Sequence, residues 1–296
     1  MKIGICGTGK MGQAIGKRLL EKGYDLSIWN RTKKNSENLI KSGAKFYEDL
    51  NNLVQQVELI LIILGNDEAL NYVYNSKNGF QNINLNRKIF IEMSTTSIDN
   101  IKKLSKVIIN NNGLFIECPV GGSTGPAENG QLLGLLGGSK NLIKSLDIIF
   151  KDLFRRYEYL GDIGKGTAMK LAINLPLLVY WQALGEALQI TNDNQIDFDK
   201  ALNILIDTSG ASKVAHLKIN SISNAYHNKM DGKSTFDLEA SLKDMILMKD
   251  EAKKKNGNLV VLGQAIKYVE QGLKNNHHKE DASSITGLIS RKFKNN

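Results

Sequence analysis

The sequence predicts an α/β protein: a doubly wound N-terminal domain and an all-α C-terminal domain, joined by a long interdomain helix. Two observations predict this. Short apolar runs alternate with segments of helical periodicity from Met1 to about Asp162, which is the rhythm of right-handed β-α-β units. After Gly166 only helical periodicity remains. We therefore expect one domain over residues 1–162 and a second over residues 163–296, with the joining helix at residues 164–192.

Each element is assigned from a short apolar run for a strand, or from apolar residues at helical spacing for a helix. The predicted strands are Ile3–Cys6, Leu26–Trp29, Glu58–Leu64, Lys88–Glu92, Leu114–Cys118 and Leu132–Leu136. Helices between them are predicted at Lys10–Lys22, Ser36–Ser42, Glu68–Tyr74 and Ile98–Ile109. Helices of the second domain are predicted at Phe198–Ile206, Ser212–Ser223, Phe236–Lys255, Leu259–Gly272 and Asp281–Lys292.

The joining helix is apolar on all sides over Thr167–Thr191, so we expect it to be buried between domains or subunits. Pro176 lies inside this stretch and should kink the helix or open one backbone bond, because proline has no N–H to donate. This helix and the helical second domain favour a homodimer or homotetramer, and a monomer is also open.

Composition excludes several classes of protein. Two cysteines, Cys6 and Cys118, cannot form a disulfide framework, which indicates a reducing cytoplasm. The apolar runs are too short to cross a bilayer and the first leads into a glycine turn, so neither a membrane span nor a signal peptide is predicted. The net charge of +9 is spread along the chain without a nucleic-acid motif. It fits attraction of anionic small molecules. The four histidines lack metal-ligand spacing, so no metal is predicted.

A glycine-rich turn lies between the first predicted strand and the first predicted helix, with Gly7, Gly9 and Gly12 in G-x-G-x-x-G spacing. In a dinucleotide site, the first glycine permits the tight turn, the second lets the backbone approach the pyrophosphate, and the third lets the helix pack on the strand. The pyrophosphate would lie on the N–H groups at the start of the helix. A glycine turn without a ligand is the alternative. The predicted cofactor-binding residues here are Gly7, Thr8, Gly9, Lys10, Met11 and Gly12.

The second predicted strand leads into Asn30, Arg31 and Thr32, about 20 residues past the glycines, where NAD-binding proteins usually carry an acidic residue. A carboxylate there would repel a 2′-phosphate, whereas a guanidinium can bind it through two charge-assisted hydrogen bonds. We therefore expect NADP(H) in preference to NAD(H), with NAD still open. The alternative is that Arg31 is an ordinary surface charge.

A second glycine-rich loop, ECPVGGSTGPAENG, runs from Glu117 to Gly130 after a predicted strand. Glycines and small hydroxyl residues in such a loop can direct several backbone N–H groups at one anion. A small substrate that carries a carboxylate therefore fits this loop. A turn that only joins two strands is the alternative.

Lys170 and Asn174 are four residues apart on the joining helix, so their side chains share one face. Both are polar within an apolar stretch, where an unpaired charge would be costly, and both follow a glycine-rich hinge. This pattern favours a catalytic lysine over one that extends to solvent. Lys243 and Asp244, taken by themselves, predict only a solvated helix face.

Four ordered blocks extend over nearly the whole chain: GTGKMG from Gly7, ECPVGGSTGPAENG from Glu117, GKGTAMKLAIN from Gly164, and FDLEASLKDM from Phe236. With these blocks the chain resembles the β-hydroxyacid dehydrogenase family, which includes 3-hydroxyisobutyrate dehydrogenase and the glyoxylate/succinic semialdehyde reductases. The resemblance implies a Rossmann-like N-terminal domain. It also implies NAD(P)-dependent interconversion of a small β-hydroxy acid and its semialdehyde, or reduction of glyoxylate or succinic semialdehyde.

The resemblance further implies roles for individual residues. Lys170 would be the catalytic acid/base of hydride transfer. The substrate would be held by Gly121, Gly122, Ser123, Asn174 and Lys243. The cofactor would also meet Leu64, Gly65, Asn66, Thr95, Lys243 and Asp244.

Two positions depart from the family pattern. Many relatives carry serine where this chain has Gly121, and often a second asparagine where it has Ile173, so the substrate stays open. The related 6-phosphogluconate dehydrogenases carry histidine at the position of Ile173, which disfavours that activity here. Imine reductases share the architecture but replace the lysine, and non-catalytic dinucleotide-binding modules tend to lose it. Both alternatives are therefore disfavoured by Lys170 without being excluded.

Overall fold

The computed structural model describes residues 1–293 and divides the chain into two compact units, Met1–Lys170 and a second that begins at Leu171. The predicted boundary after residue 162 lies slightly earlier, because the first turns of the joining helix belong to the first unit. Residues 294–296, which the second predicted domain includes, lie outside the described residues.

One nine-stranded sheet forms the centre of the first unit. Its strands are β1 (Lys2–Cys6), β2 (Asp25–Trp29), β3 (Lys45–Phe46), β4 (Leu59–Ile62), β5 (Ile89–Glu92), β6 (Leu114–Glu117), β7 (Val120–Gly121), β8 (Leu132–Gly138) and β9 (Phe154–Gly161). They are ordered β3-β2-β1-β4-β5-β6-β8-β7, and β9 pairs with β8. Strands β1 to β6 are parallel, whereas β8 is antiparallel to β6 and β7.

Helices cover both faces of this sheet. They are α1 (Lys10–Glu21), α2 (Glu37–Lys41), α3 (Leu50–Gln56), α4 (Asp67–Asn75), α5 (Ile98–Asn110), α6 (Thr124–Glu128), α7 (Lys140–Ser145) and α8 (Asp147–Leu153). Because successive strand residues point to opposite faces, Ile5 and Leu61 join one apolar cluster and Ile60 and Ile62 join another. The doubly wound fold predicted from the sequence is therefore confirmed.

The second unit is helical. It contains most of α9 (Lys165–Asp193), then α10 (Phe198–Ile206), α11 (Ile219–Tyr226), α12 (Leu238–Lys253), α13 (Val260–Lys274) and α14 (Ser284–Ser290). Up to residue 293, the only strand-like pairing in this unit is one isolated bridge between Asp237 and Asp281. Its apolar core takes side chains from all six helices, among them Leu188, Leu202 and Leu288.

Helix α9 is continuous across Pro176, so the kink or open backbone bond expected there does not end the helix. Leu178, Trp181 and Leu188 lie buried in the core of the second unit. By length and composition alone, α9 is apolar enough to cross a membrane, with 39% of its most apolar window buried. No membrane span was predicted from the sequence, because each uninterrupted apolar run is too short to cross a bilayer. The core helix of a soluble protein can have the same length and composition as α9, so these two properties alone do not indicate a membrane span.

The sequence prediction omits several elements of the first unit, and β9 is the longest of them. Arg155 and Arg156 are exposed in β9, which pairs only with β8 among the described strands. A strand at a sheet edge tolerates polar side chains, so it lacks the apolar run that marks β1 or β4. The short strands β3 and β7 have two residues each, too few for a periodic pattern.

Candidate active site

The glycine turn joins β1 to α1. Gly7 has φ +104°, and a Cβ there would lie 2.2 Å from the Ile63 carbonyl oxygen. A Cβ on Gly12 would lie 1.9 Å from the Gly7 carbonyl oxygen, so α1 packs on the turn only when this residue has no side chain. Around Gly9, no heavy atom of the described chain lies within 4 Å of the Cβ position, its two chain neighbours apart. The turn is therefore tight at two glycines and open at the middle one, as a pyrophosphate site requires.

Asn30 connects the end of β2 to the glycine turn. Its Oδ1 accepts a hydrogen bond from the Thr8 backbone N–H at 3.0 Å, and its Nδ2 donates to the Thr32 carbonyl oxygen at 2.9 Å. The buried Thr8 hydroxyl lies 2.8 Å from the Ser36 hydroxyl. These bonds fix the shape of the turn from the neighbouring strand. Lys10 is exposed at the start of α1, and Met11 packs against the core.

Arg31 and Thr32 are exposed beyond β2. The Arg31 guanidinium lies 3.7 Å from Glu68 Oε1, and the two side chains are 61% and 81% exposed. An ion pair this open to solvent contributes little stability. A phosphate could therefore displace Glu68 from Arg31 at small cost.

The last residue of β5, Glu92, is a buried carboxylate that lies opposite Ile62 of β4. Glu92 accepts hydrogen bonds from the Tyr74 hydroxyl at 2.9 Å and the Ser94 N–H at 2.8 Å. The Ser94 hydroxyl in turn accepts from the Leu64 N–H at 2.8 Å. Burial raises the pKa of Glu92 to about 7, although these hydrogen bonds oppose the shift. Glu92 is not among the site residues predicted from the sequence, although a carboxylate at the end of the apolar run IFIE is visible there.

The other predicted cofactor residues follow the same two strands. Gly65 is exposed, Thr95 is half-buried, and Asn66 accepts a hydrogen bond from the Ala69 N–H at 2.9 Å to cap α4. Together with the glycine turn and Asn30–Thr32, these residues come after the carboxyl ends of β1, β2, β4 and β5. Adjacent parallel strands present these ends at one edge of the sheet, where ligands bind in such folds.

The predicted substrate loop enters a short antiparallel pairing in which Gly121 lies opposite Leu133. A Cβ on Gly121 would lie 3.4 Å from the nearest described atom, which is ordinary contact. Gly122 differs, because its φ of +124° disfavours any other residue. Ser123 is half-buried, and its side chain does not cap the short helix that follows. The hydroxyl of Ser123 is therefore not used as an N-cap of that helix.

Glu117 links this loop to the start of α9. Its carboxylate accepts hydrogen bonds from the N–H groups of Gly164, Gly166 and Thr167, and from the Thr167 hydroxyl. Burial raises the pKa of Glu117, and the hydrogen bonds act in the opposite direction. Lys170 is half-buried one turn further along α9. Glu117 was predicted from the sequence only as the first residue of the loop.

In the second unit, Asn174 and Asp244 are brought together across 70 positions of sequence. Asn174 Nδ2 donates to Asp244 Oδ2 at 3.0 Å, and Lys243 Nζ lies 3.3 Å from Asp244 Oδ1. Asp244 is buried and Lys243 is half-exposed. The solvated face that Lys243 and Asp244 predict by themselves is therefore wrong for Asp244, because α12 turns this carboxylate toward α9. Within residues 1–293, no cluster of three His, Cys, Asp or Glu side chains suits a metal ion.

Two family models match the chain. The model of the NAD binding domain of 6-phosphogluconate dehydrogenase matches residues 2–161. The model of the NAD-binding domain of NADP-dependent 3-hydroxyisobutyrate dehydrogenase matches residues 164–289. Together they account for both units.

The chain is also similar to individual proteins of known sequence or structure. The chain is 32% identical to glyoxylate/succinic semialdehyde reductase 1 of Arabidopsis thaliana, over 69% of this chain and 71% of that protein. It is 35% identical to the chloroplastic glyoxylate/succinic semialdehyde reductase 2 of the same plant, over 59% of this chain and about half (49%) of that protein. In fold it is similar to 3-hydroxyisobutyrate dehydrogenase from Salmonella typhimurium, with a TM-score of 0.86 at 19% identity, covering 97% of this chain and 99% of that one.

Proposed function

The chain belongs to the β-hydroxyacid dehydrogenase family of NAD(P)-dependent oxidoreductases, and we propose that it reduces a small aldehyde acid with NADPH. One observation supports this most directly. Lys170 lies on the helix whose first turn is bonded to Glu117, the residue that leads into the glycine-rich loop. A proton donor and a loop that can bind a carboxylate are thus held in the same unit.

In the proposed reaction, NADPH supplies the hydride when it is bound. Lys170, as an ammonium, donates a hydrogen bond to the carbonyl oxygen and then a proton as alkoxide character develops. The backbone N–H groups of Gly121–Ser123 bind the substrate carboxylate. Within the second unit, Asp244 accepts a hydrogen bond from Asn174 and orients its amide. Oxidation of the alcohol would instead need a neutral amine at Lys170, which would accept the proton.

Cofactor choice is proposed from the residues after β2. Asn30 carries no charge that would repel a 2′-phosphate, and the exposed Arg31 offers a guanidinium that can bind one. Arg31→Ala should raise the dissociation constant of NADPH about tenfold or more, and that of NADH less than twofold. Lys34→Ala, which removes an exposed charge three residues away, is the matched control. Equal losses for both cofactors would show that Arg31 does not bind the 2′-phosphate.

The role of Lys170 is tested by Lys170→Ala, with the exposed Lys165 of the same helix as control. Lys170→Ala should lower kcat/KM about 100-fold or more, because a general acid is lost, while NADPH binding by fluorescence titration stays unchanged. Lys165→Ala should leave both quantities unchanged. Near-normal turnover of Lys170→Ala would remove the proposed role.

The substrate class is tested with purified protein, NADPH or NADH, and four aldehyde acids: glyoxylate, succinic semialdehyde, methylmalonate semialdehyde and tartronate semialdehyde. Loss of absorbance at the nicotinamide band with at least one of them supports the proposal. Reduction of cyclic imines alone would favour an imine reductase. Tight cofactor binding without any turnover would favour a non-catalytic module. Assembly as a homodimer or homotetramer and a reducing compartment stay predictions.

A further inference from the structure

We infer that Glu117 is a positioning residue: its carboxylate holds the first turn of α9 and thereby fixes Lys170 relative to the substrate loop. The proposed function, on which this inference rests, makes Lys170 the proton donor. Glu117 itself is buried and acts through the helix rather than on the substrate. Every residue involved lies within the first unit.

Glu117 caps α9 from a distant part of the chain. The first N–H groups of a helix have no partner within the helix, and a side chain just before the helix usually accepts from them. Here the residue before α9 is Gly164, which has no side chain. Glu117 replaces that cap by accepting from Gly164 N at 2.5 Å, Gly166 N at 2.9 Å and Thr167 N at 3.2 Å. Its negative charge also lies at the positive end of the helix dipole.

The Glu117 carboxylate is closely packed by its neighbours. A Cβ on Gly137 would lie 2.2 Å from Glu117 Oε1. A Cβ on Gly166 would lie 2.4 Å from the Leu135 carbonyl oxygen and 3.3 Å from the Glu117 carboxyl carbon. Glycine at both positions lets β8 and α9 close on Glu117, which is 0% exposed. Because the carboxylate is buried, bulk water is kept from these hydrogen bonds, which favours a single position for the start of α9.

The hydrogen bonds between Glu117 and the first turn of α9, called the anchor below, also determine the position of Lys170. Thr167, whose hydroxyl donates to Glu117 Oε2 at 2.6 Å, precedes Lys170 by three residues and therefore lies on the same side of α9. On the other side of the anchor, Gly121 follows Glu117 by only four residues. The Glu117 residue therefore connects helix α9, which carries Lys170, with the loop that contains Gly121. A displacement of about 1 Å at a reacting group can cost roughly 100-fold in rate.

Glu117→Gln is the first test, because the amide keeps the size of the side chain but replaces one acceptor oxygen by a donor that faces the Thr167 N–H. In either orientation of the amide, the new donor faces an N–H group of the first turn, because Oε1 accepts from Gly164 and Gly166 and Oε2 accepts from Thr167. We therefore expect kcat to fall about tenfold or more, while the dissociation constant of NADPH changes less than about twofold. Glu21→Gln, at the exposed end of α1, should change neither quantity. Loss of NADPH binding together with kcat would indicate general damage to the unit and overturn the inference.

Thr167→Val and Thr167→Ser provide a second pair in case Glu117→Gln does not fold. Valine removes only the hydroxyl donor, whereas serine keeps it. We expect Thr167→Val to lower kcat and Thr167→Ser to restore at least half of it. Equal rates for the two variants would contradict a role for the Glu117–Thr167 bond.

Two measurements separate positioning from mere stability. In a Lys170→Ala background, Glu117→Gln should cost less than twofold in the residual rate, because the lysine that it positions is absent. In the Lys170 protein, it should speed amide hydrogen exchange over residues 164–170 and leave β1 unchanged. Equal losses in both backgrounds, or unchanged exchange at the start of α9, would overturn the inference. A Lys170→Ala variant with a normal rate would instead refute the proposed function, while hydrogen exchange still tests the anchor.

Discussion

Asn174 Nδ2 donates a hydrogen bond to Asp244 Oδ2 at 3.0 Å, and Asp244 is only 2% exposed. Lys243 Nζ lies 3.3 Å from the other oxygen, Oδ1. A buried carboxylate is tolerated only with such partners, because its desolvation is costly. Asp244 therefore orients the amide of Asn174, one turn of α9 beyond Lys170.

Removing Asp244 should leave the Asn174 amide without its acceptor in a partly buried place. We expect Asp244→Ala to lower the free energy of unfolding by about 1–3 kcal/mol, measured by urea denaturation. Asp250→Ala, at an exposed position of the same helix, is the control. Equal stability of the two variants would contradict the structural role.

The glycine turn allows steric packing to be separated from cofactor binding. Gly12→Ala should reduce the free energy of unfolding by several kcal/mol or prevent folding, because its Cβ would lie 1.9 Å from the Gly7 carbonyl oxygen. Gly9 has φ −68° and open space around its Cβ position among the described residues, so Gly9→Ala should fold with near-normal stability. Its methyl group would nevertheless meet the pyrophosphate and weaken NADPH binding. Normal NADPH affinity of Gly9→Ala would place the cofactor elsewhere.

Glu92 should make stability depend on pH. Its pKa is raised from 4.5 to about 7 by burial, so between these two values the folded state holds a proton that the unfolded state has lost. Below about pH 4.5 the ionisation of Glu92 therefore does not lower the free energy of unfolding. As the pH rises from about 4.5 to about 7, the free energy of unfolding decreases. The shift corresponds to about 3 kcal/mol, as an order of magnitude.

Glu92→Gln removes this titration. Its amide oxygen can still accept from the Ser94 N–H, and its NH2 group can donate to the Tyr74 hydroxyl oxygen. Urea unfolding at pH 5 and pH 8 measures the effect. The variant should gain stability relative to the native chain by up to about 3 kcal/mol between these pH values. A difference between the two chains that is the same at pH 5 and pH 8 would contradict a raised pKa of Glu92.

Gly121 offers a test of substrate selection. The nearest described atom would lie 3.4 Å from a Cβ at this position, so Gly121→Ser should fold with stability within about 0.5 kcal/mol of the native chain. Its hydroxyl would add a donor for the substrate carboxylate, and we expect KM for the preferred aldehyde acid to change more than twofold. Gly122→Ser is the steric control and should destabilise the protein, because φ there is +124°. An unchanged KM would mean that the loop does not contact the substrate.

The local sequence pattern was sufficient to predict most strands and helices of the first unit. The parallel strands β1 and β4 are buried on both faces, so each is an apolar run that ends at a turn, and the run is visible in the sequence. The spacing of Gly7, Gly9 and Gly12 was equally visible, because a tight turn places its steric demands on adjacent residues. The edge strand β9 and the two-residue strand β3 were not visible, since their neighbours in the sheet supply the order that their own residues lack.

By itself, the sequence determined the two-unit α/β and all-α organisation, the glycine turn, and the placement of Lys170 and Asn174 on one helix. Which carboxylates accept hydrogen bonds from this helix was decided by the tertiary structure alone. Glu117 bonds residues 47 to 50 positions away, and Asp244 bonds a residue 70 positions away. The reason is physical: helix and strand periodicity report forces between near neighbours, whereas the partner of a buried carboxylate is chosen by the packing of the whole unit.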